Sequence, residues 1–378
     1  MKKKNNPIKH LDEFRKCREE WCRIHEASSI KSPFLSFEFI DLWYSCFATP
    51  DEVRIYRIIE QDETIGYLPM LLQRRRGIRY LTNLINSHCL HGDPLIMDDK
   101  KGVFCRSIAH SLFSDTSSWD VLIHRFNYSF SDIPELFSDN GFLENYKIKH
   151  MRKIEPTYSI LLDKSSDAYF HNDMSSGARK SLRLSLNRLS RAGIVTFHCY
   201  MNAEAMEHWP TFLALENSGW KGKGHTSIKS LPSNFRKYYE LMFGLLASKG
   251  VLHLYVLELN ARPIASGFGY VEGSTFHWAK AGYDEQFRDF SPSNLLLFRI
   301  IEHLISEYPS LERLHMFPWD YGYKHRFTNE KATYTDTVIY SNTIRGKTSY
   351  GLSLLKHWIR EKNPEILTHT KRILNRFR

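Results

Sequence analysis

The sequence predicts a two-domain protein of the α+β or α/β class that ends in a basic helical tail. Its 378 residues are about twice the ~100–200 residues that one domain usually contains. Helix-like and strand-like periodicity alternates up to about residue 150, and a second such series follows it. We therefore expect domains at 1–150 and 151–345, with 346–378 as the tail.

The composition is that of a globular chain rather than of a fibrous, low-complexity or disordered one. Hydrophobic residues make up 42%, aromatic residues 14% and charged residues 25%. Mean hydropathy is −0.42, and no stretch approaches the ~18 apolar residues of a membrane-spanning helix. The basic start of the chain lacks the apolar segment of a secretory signal, and the six cysteines are too dispersed for a disulfide scaffold. The sequence predicts a cytoplasmic protein with reduced thiols and, since no ligand pairs stand at zinc-site spacing, no metal.

The formal net charge of +10 is concentrated at the C-terminus. Between Arg345 and Arg378, nine basic residues accompany two acidic ones, so this segment carries +7 and the rest of the chain +3. A protein that reads nucleic acid usually has a basic face within its folded domain. The nearly balanced body therefore makes this class of function less favoured.

In the first half, amphipathic helices are followed by strands. Ser36 is a plausible N-cap just after Pro33, and the turn-like Gln61-Asp62-Glu63 separates the first two strands. The predicted helices are 10–26, 36–47 and Ile133–Phe137, and the predicted strands are Val53–Ile59, Thr64–Leu72, Tyr80–Ile85 and Asp120–Ile123.

The second half shows the same alternation more clearly. Its first long helix, Ser176–Ala192, is closed by Gly193 and carries leucines on one face and basic residues on the other. Three later strands with short turns between them predict an antiparallel meander. The other predicted helices are Ala203–Asn217, Asn234–Ser248, Ser293–Tyr308 and the short Tyr321–Thr328, and the predicted strands are Tyr158–Leu162, Ile194–Tyr200, Val251–Leu259, Pro263–Tyr270, Thr275–Tyr283, Leu311–Phe317 and Thr333–Tyr340.

The loop before the helix at 293–308 is a candidate anion site. Pro292 and Ser293 are placed as its first residue and its cap, so unpaired first-turn amides and the positive end of the helix dipole would face the loop. Such a helix start binds pyrophosphate in many folds, and Arg288 is near enough in sequence to assist. An ordinary capped helix explains the same pattern.

Two further segments combine polar and aromatic residues in loops. In Asn217–Ile228, Trp220 and Lys221 stand among glycines, and Glu216 is either a base or the partner of Lys221. Trp220 is either a wall of a substrate cleft or a residue that packs against the helix end, and a solvated surface carboxylate is the other interpretation of Glu216.

The second of these segments is Trp319–Phe327, which follows the predicted strand Leu311–Phe317. Tyr323 is placed to donate a proton, Asp320 to orient or deprotonate an amine, and Lys324 to pair with an acidic group. A structural ion-pair cluster is the other interpretation. No GxSxG, GxxxxGK[ST], HExxH or GxGxxG motif supports a serine hydrolase, P-loop enzyme, zincin or simple Rossmann protein.

These segments together resemble the CelD-like acetyltransferases of the GNAT superfamily, a family of cell-envelope and polysaccharide gene clusters. The matching residues, in order from about 32 to 340, are Ser32-Pro33-Phe34-Leu35-Ser36-Phe37 with Trp43, Gly66-Tyr67-Leu68-Pro69-Met70, the E-x-x-x-W-K-G pattern from Glu216 to Gly222, Ser291-Pro292 with Leu295-Leu296, and the Y-K-x-x-F pattern at Tyr323, Lys324 and Phe327. The resemblance implies tandem GNAT-like domains, the second of which carries the acyl-CoA site, and kinship with Fem-type transferases.

The activity that the resemblance implies is acyl-CoA-dependent transfer of an acetyl or longer acyl group to an amine of a sugar, a nucleotide sugar or a cell-envelope polysaccharide precursor. Acyl-CoA would contact Arg288, Ser291, Ser293, Asn294 and Leu295. Glu216 or Asp320 would act as the base and Tyr323 as the acid, while Trp220, Lys221 and Lys324 would line the acceptor side.

Two alternatives stand beside this one. A Fem-type enzyme would use aminoacyl-tRNA, with the basic helix 179–191 and the tail as tRNA contacts. A non-catalytic module of a polysaccharide assembly system would dock on the inner face of the membrane through residues 350–378. A tail packed as a helix on the second domain explains its apolar residues equally well.

Overall fold

The computed structural model describes residues 7–90, 92–114, 118–127, 149–153, 156–318, 322–328, 330–332 and 335–362. It contains two seven-stranded, mostly antiparallel sheets flanked by helices, which confirms the predicted fold class. The described strands are β1 (Val53–Glu60), β2 (Glu63–Arg75), β3 (Ile78–Asn83), β4 (Leu95–Ile96), β5 (Val121–Asn127), β6 (Lys149–Lys153), β7 (Thr157–Leu161), β8 (Val195–Met201), β9 (Leu252–Leu259), β10 (Arg262–Glu272), β11 (Thr275–Tyr283), β12 (Arg313–His315), β13 (Lys331–Ala332) and β14 (Thr335–Tyr340). The described helices are α1 (Leu11–Arg15), α2 (Arg18–Ala27), α3 (Phe37–Phe47), α4 (Lys101–Ser114), α5 (Ser166–Ala168), α6 (Ser176–Ala192), α7 (Asn202–Glu207), α8 (Trp209–Ser218), α9 (Trp220–Lys223), α10 (Ser233–Ser248), α11 (Pro292–Glu307) and α12 (Ile344–Lys362).

The chain forms two compact units, and each unit is discontinuous in sequence. The first comprises Met1–Lys16, Thr49–Lys153 and Thr335–Arg378, and the second Cys17–Ala48 and Ile154–Tyr334. The border at 153/154 lies close to the expected domain boundary at 150/151. Residues 17–48, expected in the first domain, belong to the second unit, and residues 335–345, expected in the second domain, belong to the first unit. Helix α3 joins the second unit because its aromatic side chains stack on α10, with 4.8 Å between the ring centres of Phe47 and Phe235.

The sheet of the first unit has the strand order β1-β2-β3-β5-β14-β6, with β4 paired to β2. Only the β3–β5 pair is parallel among these ladders. The last strand, expected in the second domain, lies between β5 and β6 in this sheet. Asp120, just before β5, is buried and holds the start of β3. Its carboxylate accepts hydrogen bonds from the backbone N–H and the guanidinium of Arg79 at 2.8–3.0 Å. It also accepts from the Thr343 hydroxyl just before α12.

The sheet of the second unit has the order β13-β7-β12-β11-β10-β9-β8. Strands β8 to β11 form the predicted antiparallel meander, and α11 then links β11 to the parallel strand β12. Helices α6 and α11 pack against the main core on one face of the sheet, where Leu182 and Leu189 of α6 and most leucines and isoleucines of α11 are buried. On the other face, Phe212 of α8 and Phe243 of α10 each lie 5.2 Å from the ring of Phe268 on β10.

Several helix boundaries differ from the sequence prediction for identifiable reasons. The helix predicted at Ala203–Asn217 is two helices, because Pro210 lacks the N–H that a helix interior requires and instead lies in the first turn of α8. The helix predicted at 10–26 is likewise divided, at Lys16–Cys17. Helix α4 was not predicted. The helix predicted at Ile133–Phe137 lies outside the described residues.

Candidate functional site

Strands β11 and β12 pair only at their beginnings and then separate. The two strands pair in parallel over only three residues each, Thr275–His277 with Arg313–His315. Strand β11 continues to Tyr283, whereas β12 ends at His315. Among the described strands, the second half of β11 therefore has no ladder partner on its β12 side. Because α11 follows β11 in the chain, its N-terminus lies at the end where this gap opens.

A β-bulge turns the backbone of β11 at the start of the gap. Lys280 pairs with Phe268 and Trp278 pairs with Gly269, so Ala279 is one residue too many for the ladder. A bulge of this kind increases twist and re-aims the adjacent backbone groups. Beyond it, the N–H of Asp284 donates back to β10, and by alternation the polar backbone groups of Ala281 face away from β10, toward the gap.

The start of α11, the predicted anion site, has fewer available amides than expected. Ser291 has a left-handed conformation (φ 50°) and Pro292 has no N–H. The N–H groups of Asn294 and Leu295 donate to the Ser291 carbonyl at 3.0 and 3.2 Å. In the described part of the chain, Ser293 alone of the expected amide donors has no backbone partner. Arg288, expected to assist, is exposed and lies 3.5 Å from Glu285.

A buried group of charges occupies the face of β11 that packs on α8. Glu216 is 1% exposed, and its carboxylate accepts from the Ile228 N–H at 2.8 Å and from Lys280 Nζ at 3.2 Å. Lys221 Nζ lies 3.7 Å from the same carboxylate and donates to the Ala281 carbonyl. Gly282 makes this approach possible, because a Cβ there would lie 2.3 Å from the Glu216 Cα. The sequence interpretation of Glu216 as the partner of Lys221 agrees with this geometry, and Lys280 was not foreseen.

The electrostatics of this group differ from those of solvated lysines. Burial and the neighbouring charge of Lys280 lower the pKa of Lys221 to about 8, although Glu216 acts in the opposite direction. The Lys221 amine is therefore still mostly protonated at neutral pH, but it releases its proton at a lower pH than a solvated lysine does. Its Nζ sits beside the unpaired edge of β11, where it holds one of the carbonyls of that edge.

The residues of the Y-K-x-x-F pattern are arranged differently from the expectation. Lys324 is 2% exposed, and its Nζ donates to the carbonyls of Phe317 and Pro318 at 2.7 and 3.1 Å. Its ammonium therefore stabilises the turn after β12, where Phe317 has a φ of 49°. Tyr323 is half-buried against the main core. Asp320 lies outside the described residues, and Trp220 begins α9.

A row of polar side chains that the sequence interpretation missed crosses the sheet at the last paired residues. Thr157 Oγ1 lies 2.6 Å from His315 Nε2, and His315 Nδ1 lies 3.1 Å from His277 Nδ1. The ring of His277 stacks on Tyr270 at 4.9 Å, and its Nε2 lies 3.5 Å from Glu272. Burial lowers the pKa of His277 to about 3, so this histidine is neutral at physiological pH. The row holds β7, β12, β11 and β10 together where the gap begins.

No cluster of three or more His, Cys, Asp or Glu side chains suited to a metal occurs in the described ranges. Within the same ranges, no helix is both long and apolar enough to cross a membrane.

Comparisons with known proteins agree with the fold described above. A family model described as an acetyltransferase (GNAT) domain matches residues 176–325. Among curated proteins, no relative matches the sequence significantly. This match lies within the second unit, which is therefore similar to a GNAT-type acetyltransferase domain, as the sequence motifs imply.

Solved structures show the same fold over most of the chain. FemX is 11% identical, with a TM-score of 0.56 over 89% of this chain and 98% of its own. The C-terminal domain of a putative lysylphosphatidylglycerol synthetase from Agrobacterium fabrum is 12% identical, with a TM-score of 0.53 over 92% and 96%. A conserved protein of unknown function from Bacteroides thetaiotaomicron is 11% identical, with a TM-score of 0.53 over 88% and 99%.

Proposed function

We propose that the protein is an acyl-CoA-dependent N-acyltransferase of the CelD-like type, with its acyl donor in the gap between β11 and β12. The observation that carries this proposal is the unpaired edge of β11, which begins at the Ala279 bulge and ends near the N-terminus of α11. An extended ligand with amide groups can add to such an edge as a strand would. The pantetheine arm of coenzyme A is a ligand of this shape, and its diphosphate would reach the helix start.

The edge suits a thioester in particular. Since the Ala281 carbonyl is already held by Lys221, the amides remain as donors toward the gap. A backbone N–H next to the bulge would then donate a hydrogen bond to the thioester carbonyl oxygen and stabilise the negative charge that develops on it. The Ser293 N–H, the side chains of Ser291 and Asn294, and the helix dipole would bind the diphosphate. Leu295, whose side chain is buried, contributes only to the helix start.

The transfer itself forms a C–N bond and breaks the C–S bond of the thioester. A neutral amine attacks the carbonyl, a base takes the proton that the amine loses, and the departing thiolate takes a proton from an acid. We assign the base to Asp320 and the acid to Tyr323. Glu216 is less suited to the role of base, because three donors surround its carboxylate.

The acceptor would approach the gap at the unpaired edge of β11, beside the partly exposed Lys221 and Lys280, and Trp220 would line the same side. An amino sugar or nucleotide sugar of a cell-envelope precursor fits this proposal, because its hydroxyl and phosphate groups are ligands for lysine ammonium groups. Lys324 would stabilise the turn after β12 rather than contact the acceptor, since its ammonium donates to two backbone carbonyls of that turn.

The donor site can be tested with a charge placed at the start of α11. Ser293→Glu adds a carboxylate that the helix dipole stabilises, so folding should be retained, but it repels a diphosphate. Calorimetry should show at least tenfold weaker acetyl-CoA binding for Ser293→Glu than for the neutral control Ser293→Gln. Equal binding by the two variants, or no binding of acetyl-CoA or longer acyl-CoA by the wild type, would contradict the proposal.

A Fem-type transferase that uses aminoacyl-tRNA is the second candidate, and one observation favours it. Helix α6 carries five basic residues and no acidic one. Lys180, Arg188 and Arg191 are exposed, and none has an ion pair among the described residues. Charged tRNA that binds with a steep salt dependence, and more weakly to a Lys180→Gln/Arg188→Gln variant, would favour this candidate over acyl-CoA.

A further inference from the structure

The C-terminal helix α12 is anchored at its start and exposed over the rest of its described length. Gly346 packs against the backbone of Ser341, and its N–H donates to the Thr343 hydroxyl at 3.0 Å. The rings of Tyr340 and Tyr350 lie 5.4 Å apart, which fixes the first turns to β14. Beyond Tyr350 the helix turns large apolar side chains toward solvent.

Four of these apolar side chains are about half-exposed. Leu352, Leu354, Leu355 and Trp358 are 49%, 46%, 51% and 55% exposed. Leu352, Leu355 and Trp358 follow one another at three-residue spacing, so they lie side by side on the helix surface. Single exposed leucines are ordinary in proteins, but a continuous apolar patch usually marks an interaction surface.

The charge of the helix indicates what covers this patch. Helix α12 contains five basic residues and one acidic residue, a net charge of +4, and the sequence after it adds a further +3. Leucines and a tryptophan beside lysines and arginines are typical of helices that lie in a membrane interface. Anionic headgroups attract such a basic segment, whereas two copies of the same helix would repel one another.

We propose that α12 is a membrane-docking helix that inserts Leu352, Leu355 and Trp358 into the surface of an anionic bilayer. The bilayer contact would hold the protein at an anionic membrane surface. This inference does not depend on the identity of the acyl donor.

The test compares vesicles of phosphatidylglycerol and phosphatidylcholine with vesicles of phosphatidylcholine alone. Wild-type protein should sediment with the anionic vesicles at least tenfold more strongly, and this binding should fall as salt is raised. The variant Leu352→Gln/Leu355→Gln/Trp358→Gln keeps good helix formers and should lose at least tenfold in binding. The control Leu184→Gln changes an exposed leucine of α6 and should bind as the wild type does.

Several outcomes would overturn the inference. Wild-type protein that does not sediment with anionic vesicles would do so, as would equal binding by the triple variant. A concentration-dependent dimer that the triple variant abolishes would show that a second copy covers the patch instead. Acetyl-CoA binding measured on the same variants separates a failure here from a failure of the proposed transferase activity, since the triple variant should bind acetyl-CoA normally.

Discussion

Replacement of Lys221 by methionine should remove a specific dependence of folding stability on pH. In the folded state, burial and the charge of Lys280 disfavour the ammonium form of Lys221 and lower its pKa to about 8. In the unfolded chain the same group titrates near 10.5. Between these two values the unfolded chain binds more protons than the folded one, so stability should rise with pH.

The magnitude follows from the difference between the two pKa values. At pH 7.5 both states are protonated, and the buried charge costs about 3 kcal/mol of unfolding free energy. At pH 10.5 most of this cost is gone, because the folded state has released the proton. The unfolding free energy of the wild type should therefore rise by about 3 kcal/mol relative to that of Lys221→Met over this interval.

Urea unfolding followed by far-UV circular dichroism at pH 7.5, 9 and 10.5 measures this difference directly. Other tyrosines and lysines titrate in the same range, so the comparison of variant with wild type is the relevant quantity. Lys229→Met, which removes an exposed lysine from the neighbouring turn, serves as the control. If Lys221→Met and Lys229→Met follow the wild type equally across the three pH values, the electrostatic account of the buried group is wrong.

Three further variants or reactions test other parts of the structure. Gly282→Ala should lower the unfolding free energy by about 1–3 kcal/mol in urea, because its Cβ would lie 2.3 Å from the Glu216 Cα, whereas Gly351→Ala meets open space and should not destabilise. Asp120→Asn should lower the unfolding free energy by about 3–5 kcal/mol, since it leaves the Arg79 guanidinium, 2.8 Å away, without its carboxylate. The Asp120 hydrogen bonds hold its pKa low, so the wild type should lose stability as pH falls through that pKa while the asparagine variant does not; parallel acid unfolding curves would contradict this. Burial raises the pKa of Cys199 to about 11, so iodoacetamide at pH 8 should modify it at least 100-fold more slowly in the native protein than in urea, as measured by mass spectrometry, and equal rates would show that the thiol is accessible and ionised.

Much of the fold could be predicted because its signals are local. The helix Ser176–Ala192 and the strand Thr275–Tyr283 have the predicted bounds, since leucine spacing, Gly193 and short polar turns act within a few residues. The partner of β14 could not be predicted, because strand pairing across about 200 residues leaves no mark in a local pattern. Pro210, by contrast, is a local signal for the break between α7 and α8.

The candidate site was less predictable, because it depends on irregular backbone. Simple alternation along β11 would place Lys280 on the same face as Phe276 and Trp278, which belong to the main core. The extra residue at Ala279 reverses the alternation and turns Lys280 toward Glu216. In the same way, the left-handed conformation of Phe317 presents the carbonyl that holds Lys324, and no sequence rule identifies it.

The position of β14 has a consequence for how this chain can be synthesised and divided. The first sheet needs β14 between β5 and β6, but the ribosome makes β14 only after the whole second unit. The first unit therefore cannot complete its sheet until the second unit has been synthesised. A gene fragment that stops at residue 150 would leave β5 without its partner β14. Exchange of one unit between relatives would accordingly require four crossovers, at 16/17, 48/49, 153/154 and 334/335.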